Sequence, residues 1–317
     1  MTADVLAAVG TVAGALALDV AVGEPPQRLH PVAWFGRAVA PIDADWSRPD
    51  AVGASVAVVL PAVAAVAVAL AVLAAGRAGL AAAVAVAALA LFVSTSLRRL
   101  LVCVSEVVAA SEDDPDRARE ALRALAGRDA ADLTPGQVRS AAVESLAENL
   151  ADGLVAPLGA FAVLAAAAFV AGTGPAVALA AGTAGAAWVK AVNTLDSMLG
   201  YREKAVGRLP ARLDDAVMWV PARASALLLA AVARSPGALR AASAWVDEVP
   251  SPNSGWPMGT LAATLDCRLE KPGAYVLHPA ASLPDAGVAR VGIRQVAVAG
   301  LLAYAVAGAT VGVAAWS

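Results

Sequence analysis

Charge, histidine, cysteine and aromatic rings are all scarce in this chain of 317 residues: 15% of its side chains are charged, 4% are aromatic, and it has two histidines and two cysteines. Each scarcity excludes a class of protein. Cys103 and Cys267 have no CxxC or metal-ligand spacing, which removes a zinc module or a disulfide framework and leaves each thiol as a small apolar residue. A net charge of −3 and a pI near 5.4, with no basic stripe interleaved with aromatics, give no footprint for nucleic acid. No Walker-type sequence occurs, which removes a P-loop nucleotide site. The halves of the chain show no paired internal repeat of the kind a transporter carries.

What is abundant is apolar sequence. A hydrophobic fraction of 60% and a mean hydropathy of +0.70 lie outside the soluble range and read as an integral membrane protein. Ala51–Gly76 and Ala78–Leu97 are each long enough to cross a hydrocarbon core roughly 30 Å thick and are separated by Arg77 alone, so they predict a helical hairpin. Gly153–Val189 is uncharged and too long for one span; the Gly172-Thr173-Gly174-Pro175 break predicts a second hairpin. Gln295–Ser317 is a last span. Val5–Leu18, shorter and bounded by Asp4 and Asp19, lacks the basic start of a signal peptide and is kept as an anchoring helix. Ala216–Ala233, interrupted by Pro221 and Arg223, reads as a span, a re-entrant segment or an interfacial one. The expected architecture is all-α: one polytopic membrane domain over residues 1–317 with roughly five to seven spans.

Hairpins return the chain to the side it left, so Gly23–Asp50, Arg98–Asp152 and the segment after Asn193 share one face. Arginines from Arg28 to Arg212 lie there while the hairpin tips carry only Arg77, which predicts a cytoplasmic face in a cell membrane. Residues 98–152 then form a cytoplasmic helical insertion between the hairpins. Within it, Asp113-Asp114-Pro115 marks one helix start, and Thr134-Pro135 supplies a cap and a first-turn proline for another.

Polar groups are costly beside membrane helices, and in Ala142–Arg223 they recur at helical spacing. Glu144 and Glu148 are four residues apart, Asp152 continues their face, and Asn149 sits beside them; like charges stacked so need a divalent metal or arginine partners. Lys190, Asn193 and Asp196 form a stripe of cation, amide and carboxylate, followed by Tyr201 and Arg202. Arg212, Asp215 and Trp219 share a third face, with Asp214 adjacent and Arg223 beyond. The blander readings are a solvated acidic face, a snorkelling Lys190, a capping Asp196 and an Asp215–arginine pair. Outside this stretch, His30 lies in the proline-fixed loop Gly23–Pro31, where a hydrogen-bonded structural histidine is the commoner outcome. Asn253 and Trp256 lie in a turn-rich island with an aromatic plate able to stack on a planar ring. His278 has no comparable constellation.

The strings LDVAVGEPPQRLHPVAWFGR, RSAAVESLAEN, DGLVAP, KAVNTLDSMLGYR, ARLDDAVMWVPAR and SPNSGWPMGTLAATLDCRL, six blocks in order over almost the whole chain, together resemble the cobalamin-biosynthesis CobD/CbiB family, the adenosylcobinamide-phosphate synthases. Where that family usually reads Gly-Asp-Pro, this chain has Gly23-Glu24-Pro25, and KPGAYVLHPA after Leu269 matches less clearly. The resemblance implies an ATP-dependent amide ligation of adenosylcobyric acid with aminopropanol phosphate or aminopropanol, using Mg²⁺, at a lipid bilayer. It implies catalytic roles for Glu144, Glu148, Asn193, Asp196 and Asp215, and metal coordination by Asp152, Asp196, Asp214 and Asp215. His30, Asn149, Lys190, Tyr201, Arg202, Arg212, Arg223, Asn253 and Trp256 are implied to bind substrate or phosphate. Two other classes compete: an intramembrane Mg²⁺-dependent prenyltransferase, which also uses aspartate-rich helix ends, and a membrane transporter.

Overall fold

The computed structural model describes residues 3–126, 130–200 and 204–317. In order, its helices are α1 (Ala3–Val22), α2 (Pro31–Val39), α3 (Pro49–Gly76), α4 (Leu80–Ser94), α5 (Arg98–Asp113), α6 (Pro115–Ala126), α7 (Pro135–Leu150), α8 (Ala156–Val170), α9 (Pro175–Leu199), α10 (Arg208–Val217), α11 (Trp219–Val232), α12 (Gly237–Ala242) and α13 (Gly255–Leu265). A short antiparallel hairpin, β1 (Leu269–Lys271) and β2 (Tyr275–Leu277), precedes α14 (Ala286–Trp316). Among the described residues, six helical segments are long and apolar enough to cross a membrane: Ala3–Val22, Pro49–Gly76, Leu80–Asp113, Pro135–Val170, Pro175–Leu199 and Ala286–Trp316. The protein is an all-α, polytopic membrane protein. The uncertain segment also has a definite form, because Ala205–Val217 and Trp219–Val232 pass the same test only as a pair bent by 45°.

The breaks fall where backbone chemistry demands them. Gly172 takes a φ of 75° between α8 and α9, a left-handed conformation open to glycine at little cost, and Pro175 then starts α9. At the start of α7, Thr134 accepts from the Gln137 N–H while the Gln137 side chain accepts from the Thr134 N–H, a complete capping box with Pro135 in the first turn. Thr134→Ala is expected to cost about 1 kcal/mol and Thr134→Ser much less, read as thermal melts of the detergent-solubilised protein. Equal melts for all three would contradict the box.

The described chain forms two compact units. The first comprises Met1–Ser96, Ala156–Val217 and Ala303–Ser317. In it α8 and α9 approach closely because Gly182 and Gly185 face Phe161, Ala165 and Leu164, where a Cβ at Gly182 would come within 2.8 Å of the Phe161 ring. Val58, Val63, Val66 and Leu70 of α3 stay exposed, a surface suited to acyl chains. The C-terminal end of α9 is pinned by a buried cluster of Val39, Leu195, Leu199 and Val206, with Phe35, Ile42 and Met198 packed against it.

The second unit comprises Leu97–Val155 and Met218–Leu302. Helix α7 is its centre, with Val138, Ala142, Val143, Leu146 and Leu150 buried among α5, α6, α13 and β1. A five-residue π turn, Ala151–Val155, carries the chain on from α7. The amphipathic region expected as a cytoplasmic insertion therefore ends in a helix continuous with a candidate span, Pro135–Val170.

Candidate active site

In the first unit, Lys190, Asn193 and Asp196 stand on α9 at three-residue spacing, and all three are partly buried. Leu195 and Leu199, on either side of Asp196, belong to the buried cluster and fix the azimuth of its carboxylate. Asp196 folds over Gly200, whose missing side chain provides the room: a Cβ there would overlap the carboxylate oxygen Oδ1. Asp215, on α10, is close enough for the two negative charges to interact. Asp214 beside it is buried, while Arg212 is exposed. Tyr201 and Arg202 lie outside the described residues. Lys204, just beyond them, pairs with Asp43 at 2.7 Å and donates to the Met198 carbonyl at 3.3 Å, which ties the end of α9 to the loop after α2.

His30 joins this group through the loop before α2. Its Nδ1 accepts the Val32 N–H at 3.2 Å as the cap of α2. In the neutral ring the proton therefore sits on Nε2, which faces Glu24 Oε1 at 3.5 Å. Burial holds the imidazole below its ordinary value of 6.5; Glu24 opposes that and the Lys190 charge adds to it. Below pH 6.5 the unfolded chain then binds more protons at this site than the folded one, so the stability held by neutral His30 is present above pH 6.5 and is lost as pH falls. Melts of the wild type are expected to drop on acidification, and His30→Asn, which keeps a capping group without a titrating ring, is expected to remove that part of the drop. Parallel pH profiles for the two would overturn the assignment.

In the second unit, Glu144 is 1% exposed on α7 and is satisfied by two hydroxyls. Tyr275 Oη donates to its Oε2 at 2.6 Å and Ser140 Oγ to its Oε1 at 3.0 Å. Ser140 in turn accepts the Glu270 N–H at 2.7 Å, and Gln137 Nε2 donates to Glu270 Oε1 at 3.0 Å, so polar contacts from Gln137, Ser140 and Glu144 lace the hairpin β1–β2 to α7. Glu148 and Asn149 are partly buried one turn further on, with Asn149 Nδ2 donating to the Ser145 carbonyl at 2.9 Å. Asp152 lies in the π turn.

Arg223 of α11 is held between two indoles of the same unit, 4.1 Å from the Trp219 ring and 5.3 Å from that of Trp256. It donates to Asn253 Oδ1 at 3.2 Å and to the Trp219 carbonyl at 2.8 Å. Arg223 is thus brought to Asn253 and Trp256, which lie 30 or more residues further along the chain. Cys267 is 2% exposed with its thiol pushed up to about 12 by burial and by Asp266, so it serves as a buried apolar group and not as a nucleophile.

The residues singled out in the sequence fall into these groups: His30, Lys190, Asn193, Asp196, Arg212, Asp214 and Asp215 in the first unit, and Glu144, Glu148, Asn149, Asp152, Arg223, Asn253 and Trp256 in the second. Sequence reasoning missed Tyr275. Its only signal was the Lys271-Pro272-Gly273 turn ahead of the short apolar run 274–277.

Among the described residues no group of three or more His, Cys, Asp or Glu side chains is arranged to hold a metal ion. An all-protein metal cage is therefore a poor fit. Two interacting carboxylates, Asp196 and Asp215, suit Mg²⁺ better, which keeps several waters and is commonly held by one or two carboxylates together with substrate phosphates.

The profile of the CobD/Cbib protein family matches residues 12–306. A cobalamin biosynthesis protein CobD from Mycobacterium tuberculosis is 38% identical over 277 residues, covering 84% of this chain and 82% of its own. A probable cobalamin biosynthesis protein CobD from Methanothrix thermoacetophila is 35% identical over 277 residues, covering 83% of this chain and 84% of its own. The protein of the same name from Klebsiella pneumoniae is 34% identical over 275 residues, covering 81% of each chain. No solved structure matches.

Proposed function

The chain belongs to the CobD/Cbib family, and from that premise we propose that it acts in cobalamin biosynthesis as an amide-forming synthase, joining a propionate carboxylate of adenosylcobyric acid to aminopropanol phosphate or aminopropanol at the expense of ATP. The observation that carries the chemistry is the Asp196–Asp215 pair beside Lys190 and Asn193, set at the end of a candidate membrane span.

Two bonds are made in this reaction. A carboxylate oxygen of the corrinoid attacks a phosphoryl group of ATP, a phosphoanhydride bond of ATP breaks and ADP or pyrophosphate leaves, and the amine nitrogen then attacks the activated acyl carbon. The carbon–oxygen bond breaks, the phosphate-bearing group leaves with the original carboxylate oxygen, and the nitrogen gives up a proton. Asp196 and Asp215, with Asp214 adjacent, would hold Mg²⁺, which supplies charge neutralisation at the phosphates. Lys190, Arg202 and Arg212 meet phosphoryl oxygens through charge-assisted hydrogen bonds, and Asn193 and Tyr201 orient the groups beside them. Among the residues of the second unit, Glu144, Glu148 and Asp152 offer carboxylates to take up the proton of the amine, and Asn149 beside them orients it. Arg223, fixed by Trp219 and Asn253, presents a cation beside the Trp256 ring, a surface suited to a planar or anionic part of the substrate. His30 borders the corrinoid pocket. The apolar surroundings keep water from the activated acyl group. The working face is cytoplasmic and the membrane is the cell membrane, as the arginine distribution favours.

A heavy-oxygen label placed in the propionate carboxylate tests the activation step. Transfer of the label to the phosphate or AMP released from ATP is expected. Amide product with the label left entirely in water or in the corrinoid would rule out activation by ATP.

A further inference from the structure

Helix α11 is the segment whose place in the membrane composition leaves open. Its 14 residues make about 21 Å of helix, too short for a hydrocarbon core of roughly 30 Å. Its surface is two-sided. Ala222, Ser225, Ala226, Leu229 and Ala230 are buried in the second unit, while Trp219, Val220 and Leu227 are 54%, 64% and 57% exposed.

Two contacts set its depth. Gln295 Nε2 donates to the Leu229 carbonyl at 3.1 Å. From Gln295 to the end of α14 at Trp316 the helix is about 32 Å long, the thickness of one hydrocarbon core. Helix α11 also packs on the π turn Ala151–Val155, from which α8 departs. Both contacts therefore lie at the edge of the apolar layer and not within it.

The chain on either side of α11 fixes its course. The α8–α9 hairpin returns the chain, ahead of α10, to the face that carries residues 98–152. Residues 233–285 are bonded to that same stretch within the second unit: Tyr275 donates to Glu144 at 2.6 Å, the Glu270 N–H to Ser140 at 2.7 Å, and Arg139 Nε to the Pro284 carbonyl at 2.8 Å. Arg290, just beyond, pairs with Glu112. Hydrogen bonds of this length do not reach across a bilayer. A crossing at α11 would put these partners a membrane thickness apart.

We propose that α11 does not cross the membrane but lies in its interfacial layer, with Trp219, Val220 and Leu227 against lipid and residues 233–285 on the face of residues 98–152. Six helices then cross: α1, α3, α4, α8, α9 and α14. A helix lying in the interface keeps its apolar side in the acyl boundary, and an indole is a common anchor at that depth. Just past Gln295, α14 exposes Val298, Leu301 and Leu302, so α11 adjoins a stripe that already faces lipid. Arg223, held between Trp219 and Trp256, is thereby set at the membrane surface.

The test uses the full chain carrying Cys103→Ala; Cys267 is buried and stays, and this parent is the blank. Single cysteines are introduced at exposed positions, and sealed vesicles are treated with a membrane-impermeant maleimide. Asp247→Cys and Glu248→Cys are expected to react from the same side as Glu120→Cys and from the side opposite to Arg77→Cys, at the tip of the first hairpin. Reaction of both from the Arg77→Cys side overturns the proposal. A nitroxide on Leu227→Cys reports depth. It is expected to collide more with dissolved oxygen than with a polar nickel chelate, at about 5–10 Å into the boundary of headgroups and acyl chains, with a nitroxide on Val66→Cys of α3 deeper. A Leu227 label as deep as that at Val66, one fully open to the chelate, or one shielded from both reagents as a second copy of the chain would shield it, overturns the proposal.

Discussion

Asp196→Asn and Asp215→Asn are each expected to lower the rate of amide formation by roughly two to three orders of magnitude, with melting temperatures close to that of the wild type. The two carboxylates are near enough to repel, and a cation bound beside them during the reaction would offset that repulsion. Replacing one by an amide relieves the repulsion, so the fold is spared or gains while the cation is lost. That opposition separates a functional pair from a structural one, in which the same change would cost stability. Raising the Mg²⁺ concentration is expected to recover part of the activity of the asparagine variants by mass action. Folded variants with wild-type rates at all Mg²⁺ concentrations would contradict the assignment.

Gly207→Ala carries the largest expected effect on the fold. A Cβ at Gly207 would overlap the Leu199 carbonyl oxygen, with the Leu199 carbon and the Gly200 nitrogen immediately behind it, all backbone atoms that no rotamer change can move. Overpacking of this kind costs about 1–3 kcal/mol, and the strain falls on the turn over which the Asp196 carboxylate folds. Stability and activity are therefore expected to fall together, unlike in the aspartate variants. Gly10→Ala is the matched control: nothing lies within 4 Å of its added carbon, and alanine is the better helix former. Denaturation curves that place Gly207→Ala and Gly10→Ala together would show that the close approach at Leu199 does not exist.

Much of this architecture is written in local patterns. The two hairpin breaks follow from Arg77 with Gly79 and from Gly172 to Pro175, and the start of α7 follows from Thr134, Pro135 and Gln137, because each is decided by neighbours within a few residues. The stripe of Lys190, Asn193 and Asp196 is likewise a consequence of helical spacing. The first helix runs from Ala3 to Val22, longer than the apolar stretch Val5–Leu18, because Asp19 is buried within its last turns instead of ending it.

Non-local pairings were out of reach. Tyr275 meets Glu144 across 131 positions, and the strands that deliver it are three residues each, too short to show an alternating pattern. The sequence likewise gives no sign that Asp215 approaches Asp196, since the two stand on separate helices, α9 and α10. His278 looked isolated because both its partners, Asp266 and Trp245, are set by the packing of loops. The bend between α10 and α11 explains why Ala216–Ala233 resisted assignment: the apolar length needed to cross is split over two helices at 45°.

The most direct test of the synthase reading is mass spectrometry of the detergent-purified chain incubated with adenosylcobyric acid, Mg-ATP and aminopropanol phosphate or free aminopropanol. The account predicts an amide product that requires ATP, forms with one of the two amines and falls by roughly two to three orders of magnitude with Asp196→Asn. Folded protein that makes no amide, while transferring a prenyl group or moving a solute across proteoliposomes, would contradict it.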